Sequence, residues 1–222
     1  AGPRADAPLV LGMWSEALAP RPADYPPNTV ITGFPVFDSD TGAPEMLYPE
    51  LDAFLGAGEP PIAFTLGSFA VYAPGDFYGA SLAIARQLNR RAALLTGPQL
   101  QLPSTSEAIV RAYAPHSLVF PRAALVVHHG GVGTTGQVMR AGKPHLIVPH
   151  MGDQFDHGHR IKELGLGAML AARRYAAEGA STLARLLSDS AIARRAEEAA
   201  VKVRAENGAE TAANAIELAL AA

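Results

Sequence analysis

Cysteine is absent from this chain. Disulfides and thiolate metal sites are therefore excluded, while the redox compartment stays undetermined. Long apolar runs are missing too: none approaches the ~20 residues that span a bilayer. The N-terminus carries no signal-peptide pattern, so the expected setting is the cytoplasm. Basic residues are in slight deficit, 18 Lys and Arg against 21 Asp and Glu. A formal net charge of −3 without a basic cluster removes the electrostatic case for nucleic acid. What remains is an ordinary apolar fraction, 49 %, in 222 residues. That length buries one good core, with room for an appendage.

Proline divides the chain. Seven prolines lie from Pro20 to Pro49, with strand-like runs at residues 9–11 and 29–32. Because proline removes donors and fixes φ, residues 1–60 read as an extended interdomain segment with one or two short strands. A chain that opens this way looks cut from something larger. From Pro61 the pattern becomes regular, and residues 61–222 read as one domain. Apolar runs at 62–66, 92–95, 108–110, 125–127, 145–148 and 168–170 predict strands. Helical stretches separate most of them. One opens at Pro74 with Phe77, Ser81, Ile84 and Leu88 on one face, and another covers 153–164. Three alanine-rich helices near 176–187, 191–206 and 209–220 close the chain, with Asn207-Gly208 breaking the last two apart. Continuously apolar strands alternating with helices predict an α/β, Rossmann-like parallel sheet of about six strands, flanked by helices.

The most informative stretch is Val126-Val127-His128-His129-Gly130-Gly131-Val132-Gly133-Thr134-Thr135. A strand ends in two histidines, a glycine-rich turn follows, and a helix opens. N–H groups at a helix start carry partial positive charge and bind phosphate, and glycine lets the phosphate come close. His128 and His129 alternate across the strand, so one packs in the sheet layer and the other faces a ligand. His129 is the residue expected to meet phosphate. Gly67-Ser68 ends another strand and offers further donors, at the edge where parallel sheets bind ligands. Tyr113, also after a strand, presents a ring able to stack on a planar base or to pack on the core.

Other patterns have plainer readings. Gly131, Gly133 and Gly136 satisfy the G-x-G-x-x-G spacing of dinucleotide enzymes, which keeps an NAD(P)-dependent oxidoreductase open as an alternative. That fingerprint normally follows the first strand of its domain, whereas here several strands precede it. His150, Asp153, Asp156, His157 and His159 crowd one region without the spacing of a helical zinc motif, so no metal site is expected. Asp153 is a natural N-cap. Asp38-Ser39-Asp40 has a D-x-D pattern, but in a proline-rich segment it reads as an acidic turn.

Together these pieces resemble the C-terminal half of the inverting UDP-glycosyltransferase superfamily, over nearly the whole chain from about Leu9. Tyr113-Ala114-Pro115-His116 stands where plant members begin their signature box with Trp-Ala-Pro-Gln. His129-Gly130-Gly131-Val132-Gly133-Thr134 matches the His-Cys-Gly-Trp-Asn-Ser core, and Asp153-Gln154 the closing acidic-Gln pair. Phe120-Pro121-Arg122 and Arg140-Ala141-Gly142 are typical of bacterial members, which glycosylate antibiotics and sterols. Ala19-Pro20-Arg21-Pro22-Ala23-Asp24 resembles the segment leading out of the N-terminal domain.

The resemblance implies the C-terminal half of a GT-B fold, binding a UDP- or dTDP-sugar donor without a cofactor or metal. His129 and the backbone of Gly131, Val132, Gly133 and Thr134 would hold the pyrophosphate, with Ser68 assisting. Tyr113 would stack on the nucleobase while the Ala114 backbone pairs with its edge. Asp153 and Gln154 would bind sugar hydroxyls. Gln137 stands where plant enzymes carry a ribose-binding glutamate. The general base and most of the acceptor pocket belong, in this family, to an N-terminal domain that this chain does not supply. The chain would then be the donor-binding part of a small-molecule glycosyltransferase, inactive alone, with no catalytic residue of its own beyond leaving-group stabilisation by His129. A donor-binding subunit that completes its site with a second chain is the closest alternative.

Overall fold

The structure is a computed structural model that describes residues 7–38, 46–68, 70–100 and 102–221. Two short strands, β1 (Val10–Gly12) and β2 (Thr29–Ile31), pair in parallel as a small separate sheet, at the predicted positions. Helix α1 (Pro49–Gly56) follows; the sequence pattern predicts only strands before residue 61. Its signal was present nonetheless: Pro49 opens the first turn, and Leu51 and Leu55 share one face, where both are buried.

The main sheet has six strands: β3 (Ile62–Thr65), β4 (Ala92–Leu95), β5 (Ala108–Arg111), β6 (Leu125–His128), β7 (His145–Ile147) and β8 (Gly167–Met169). All neighbours are parallel, in the order β5-β4-β3-β6-β7-β8. Successive residues serve opposite faces. Ile62, Phe64, Leu125 and Val127 join one core layer, while Ala63 and Val126 join the other with Leu51 and Leu55 of α1. Burial on both faces is why these strands carry unbroken apolar runs.

The helices are α2 (Phe77–Gln87), α3 (His116–Val119), α4 (Val132–Ala141), α5 (Gln154–Glu163), α6 (Ala172–Ser188), α7 (Ser190–Ala205) and α8 (Gly208–Leu220). A turn from Pro74 leads into α2, which begins at Phe77. Asn207 caps α8 through its side chain, accepting from Glu210 N. Asp153, in contrast, makes no capping bond. Gln154 instead ties down the loop before the helix, its Oε1 accepting from the N–H groups of His150 at 2.8 Å and Met151 at 3.0 Å.

The sheet order sets the position of the site. From β3 the chain moves outward through β4 and β5, then returns to β6 beside β3 and runs out the other way. The C-terminal ends of β3 and β6 therefore flank a topological switch point, the crevice where open parallel sheets bind ligands. Tyr78 of α2 braces one wall: its buried hydroxyl donates to Leu95 O at 2.6 Å and accepts from Leu66 N at 3.2 Å.

Candidate functional site

The two histidines at the end of β6 are both buried, but in different surroundings. His128 is fully buried. Gly130 N donates to His128 Nδ1 at 3.2 Å, so the His128 proton sits on Nε2 and points to His145 Nδ1, 3.1 Å away. The His145 proton is then on Nε2, a buried atom with no hydrogen-bond partner among the described residues. Burial holds both imidazoles neutral, His128 well below its ordinary value and His145 pushed down to about 3. His157 Nδ1 donates to Gly130 O at 2.7 Å, so the loop between strand and helix is pinned through both its N–H and its carbonyl.

His129 lies behind the turns that carry Gly67 and Gly131. Its ring is wedged between two glycines: a Cβ on Gly67 would fall 2.4 Å from Cε1, and one on Gly131 2.3 Å from Nε2. Burial lowers the His129 pKa to about 4, leaving a neutral imidazole, and its Nδ1 has no hydrogen-bond partner among the described residues. Gly131 thus makes room for a side chain of the protein itself. Gly133, with nothing within 4 Å of where its Cβ would stand, is the glycine that leaves an open approach.

Helix α4 starts immediately after. Its first backbone bond runs from Thr135 N to Gly131 O at 2.9 Å. The N–H groups of Val132, Gly133 and Thr134 precede it, so helix geometry leaves them without intrahelical acceptors. Gly131 at the N-cap has no side chain to cap them, and no side-chain cap of α4 occurs among the described residues. Aligned peptide dipoles add partial positive charge there, which suits an anion.

A crevice of about 780 Å³ opens on this turn at the switch point. Its lining includes Gly67 and Ser68 after β3, Gly97 and Pro98 after β4, Tyr113 and His116 after β5, and Val132 to Thr134 with Gln137 of α4. Of the residues singled out from sequence, Ser68, Tyr113, Val132, Gly133, Thr134 and Gln137 therefore share one crevice. His129 and Gly131 sit directly behind it, and Ala114 is buried. Asp153 and Gln154 are not among the lining residues; they begin the neighbouring α5, with Asp153 exposed and Gln154 buried.

Segment 34–37 and His116 also line the crevice, although sequence alone gave them no site role. His116 stacks on Phe120, with centroids 4.4 Å apart, and burial pushes its pKa down to about 4 against the opposing charge of Asp38. Asp38 itself reaches this wall: its carboxylate accepts from the N–H groups of His116 and Ser117. Ser39 and Asp40, the rest of the D-x-D pattern, lie outside the described residues.

The family described as erythromycin biosynthesis protein CIII-like, C-terminal domain, matches residues 91–221. O-mycaminosyltylonolide 6-deoxyallosyltransferase of Streptomyces fradiae is 36 % identical over 207 residues, covering 92 % of this chain and 48 % of that protein. Vancomycin aglycone glucosyltransferase of Amycolatopsis orientalis is 40 % identical over 123 residues, 54 % of this chain and 30 % of that protein. The chain thus spans half or less of the length of these curated relatives. Among solved structures, the glycotransferase of kitacinnamycin superposes with TM-score 0.77 at 22 % identity, over 95 % of this chain and 54 % of its own. Spinosyn rhamnosyltransferase SpnG complexed with thymidine diphosphate gives TM-score 0.72 at 21 % identity, over 94 % and 56 %.

Sheet order, crevice and relatives together define a glycosyltransferase C-terminal domain of the GT-B type. Within that class the chain belongs to the erythromycin biosynthesis protein CIII-like C-terminal domain family. The oxidoreductase alternative finds no support. The third glycine of its fingerprint, Gly136, faces the Phe34 ring, 2.6 Å from where a Cβ would stand, and every relative named above is a glycosyltransferase. No helix among the described residues is long and apolar enough to cross a membrane.

Proposed function

We propose that the crevice binds a nucleoside-diphosphate sugar, uridine- or thymidine-based, as donor for an inverting transfer to a small-molecule acceptor. The observation that carries this is a single crevice lined both by the unpaired first turn of α4 and by the Tyr113 ring, with His129 directly behind. The diphosphate lies on the N–H groups of Val132, Gly133 and Thr134, joined by His129 and Ser68. Tyr113 stacks on the base, the Ala114 main chain meets its edge, and Gln137 takes a ribose hydroxyl. Asp153 and Gln154 bind the sugar. Because Gln154 Oε1 already accepts two N–H groups, its Nε2 is the atom left to donate there. The thymidine diphosphate bound to spinosyn rhamnosyltransferase SpnG supports a nucleoside diphosphate as ligand.

In the transfer, an acceptor hydroxyl attacks the anomeric carbon from the face opposite the diphosphate. The bond from that carbon to the diphosphate oxygen breaks, and its electron pair stays on the leaving group. Preformed N–H donors at α4 stabilise this charge as it develops, without reorganising. The hydroxyl proton goes to a general base outside this chain, and so does most acceptor contact. The chain by itself binds donor and transfers poorly or not at all.

Calorimetric titration with UDP, thymidine diphosphate and NAD tests this reading. At least one nucleoside diphosphate binds and NAD does not; NAD binding without either diphosphate overturns it. His129→Ala weakens the diphosphate about 10-fold and leaves the bare nucleoside nearly unchanged, since it removes a hydrogen bond to a charged group. Equal losses for both ligands contradict the role of His129.

A further inference from the structure

Asp38 and Gln137 are 99 residues apart in sequence, yet Gln137 Nε2 donates to Asp38 Oδ1 at 2.9 Å. The approach is built into the packing. Phe34 is buried with its ring against Gly136, the residue before Gln137, and Gly208 of α8 leaves room for the main chain of Gly33 and Phe34. Four residues after Phe34, the Asp38 carboxylate is held at three points. Oδ1 accepts from Gln137 Nε2 and from His116 N at 3.2 Å, and Oδ2 accepts from Ser117 N at 3.0 Å. The Tyr113 hydroxyl donates to the Asp38 main-chain oxygen. One residue of the proline-rich segment thus engages both side chains assigned to the nucleoside.

The chemistry of the Asp38–Gln137 contact fixes an orientation. An ionised carboxylate only accepts, so the end of the Gln137 amide that faces it must be the nitrogen. An amide is otherwise free to turn either end toward a ligand. With Nε2 held, the atom left to the crevice is Oε1, an acceptor. We propose that Asp38 is a positioning residue that locks Gln137, so that a neutral amide presents a carbonyl oxygen to a ribose hydroxyl of the bound nucleoside diphosphate. The inference rests on the nucleotide reading of the crevice and adds how this chain recognises ribose without a carboxylate on α4.

The test compares affinities of this chain for thymidine diphosphate and for UDP with those for the analogues lacking the ribose hydroxyls. The native chain favours the hydroxyl-bearing ligand about 10-fold, because the analogue leaves an oriented acceptor unpaired. Asp38→Ala lowers that ratio, because a freed amide no longer holds its oxygen toward the hydroxyl. Adding Gln137→Glu to Asp38→Ala restores the preference, because both oxygens of a carboxylate accept and no lock is needed. A purely structural role for Asp38, tying its segment to α3, would not be rescued by a change at residue 137. An unchanged ratio in Asp38→Ala, or a lowered ratio that Gln137→Glu fails to restore, overturns the proposal. Thermal unfolding checks that each variant folds. Should Asp38→Ala fail to fold, Asp38→Asn keeps the side-chain shape but offers Gln137 a donor as well as an acceptor, which releases the lock: a lowered ratio supports the proposal, and an unchanged one overturns it. Diphosphate binding by the native chain without hydroxyl preference overturns this inference alone. Failure of the native chain to bind either diphosphate overturns the nucleotide reading and this inference with it.

Discussion

The His129 ring fits behind the crevice because two neighbours lack side chains. Gly131 has φ −61° and ψ 144°, a backbone that alanine adopts without strain, so Gly131→Ala acts through one contact, the collision with His129 Nε2. The expected result is an affinity for nucleoside diphosphates lowered about 10-fold, the worth of one charge-assisted hydrogen bond, with nucleoside binding little changed. Binding titrations of both ligands check it. At this scale the sequence was legible where chemistry is local. The paired histidines and the glycine turn lie within a few residues of each other, and strand alternation gives His128 and His129 different neighbours, His145 for the first and Gly67 and Gly131 for the second. Asp38 was not legible. Its partners Tyr113, His116, Ser117 and Gln137 lie 75 to 99 residues away, and such contacts leave no periodic trace in the chain.

The site stands on two elements brought to one edge, the end of β3 and the start of α4. Tyr78 of α2 holds the first of these by joining Leu66 N to Leu95 O through its buried hydroxyl. Tyr78→Phe keeps the ring and deletes the hydroxyl, leaving two buried main-chain groups without that partner. The expected loss is about 1–3 kcal/mol in urea denaturation at constant slope. All six strands of the main sheet were readable, because burial on both faces writes unbroken apolar runs. Helix starts were less so. At α5 the expected cap, Asp153, makes no side-chain capping bond, while the Gln154 side chain folds back onto the N–H groups of His150 and Met151 in the loop before the helix. Helix α1 hid among prolines, and only its Leu51 and Leu55 pair marked a buried face.

For the molecule as a whole, buried neutral histidines set the pH response. His128 and His145 are fully buried and uncharged; the His145 pKa falls from 6.5 to about 3 on folding, and that of His128 lies well below 6.5. The unfolded chain binds protons at these residues below pH about 6.5, while the folded chain resists them. Their stabilisation is therefore complete above that pH and declines as pH falls toward 3. Each histidine contributes a slope of about 1.4 kcal/mol per pH unit, so the urea midpoint drops steeply between pH about 6.5 and 5. A midpoint that stays level across this range contradicts the burial of the pair. Ligand binding acts in the opposite direction, adding about 2.7 kcal/mol at a nucleotide concentration 100 times its dissociation constant. The central claim, that a diphosphate seats on the first turn of α4, is tested most directly by following backbone amide resonances during titration. Inorganic pyrophosphate and thymidine diphosphate should both shift Val132, Gly133 and Thr134 most, and only the nucleotide should also shift Tyr113 and Ala114. Amides of the α4 start that stay unmoved while either ligand binds would contradict the account.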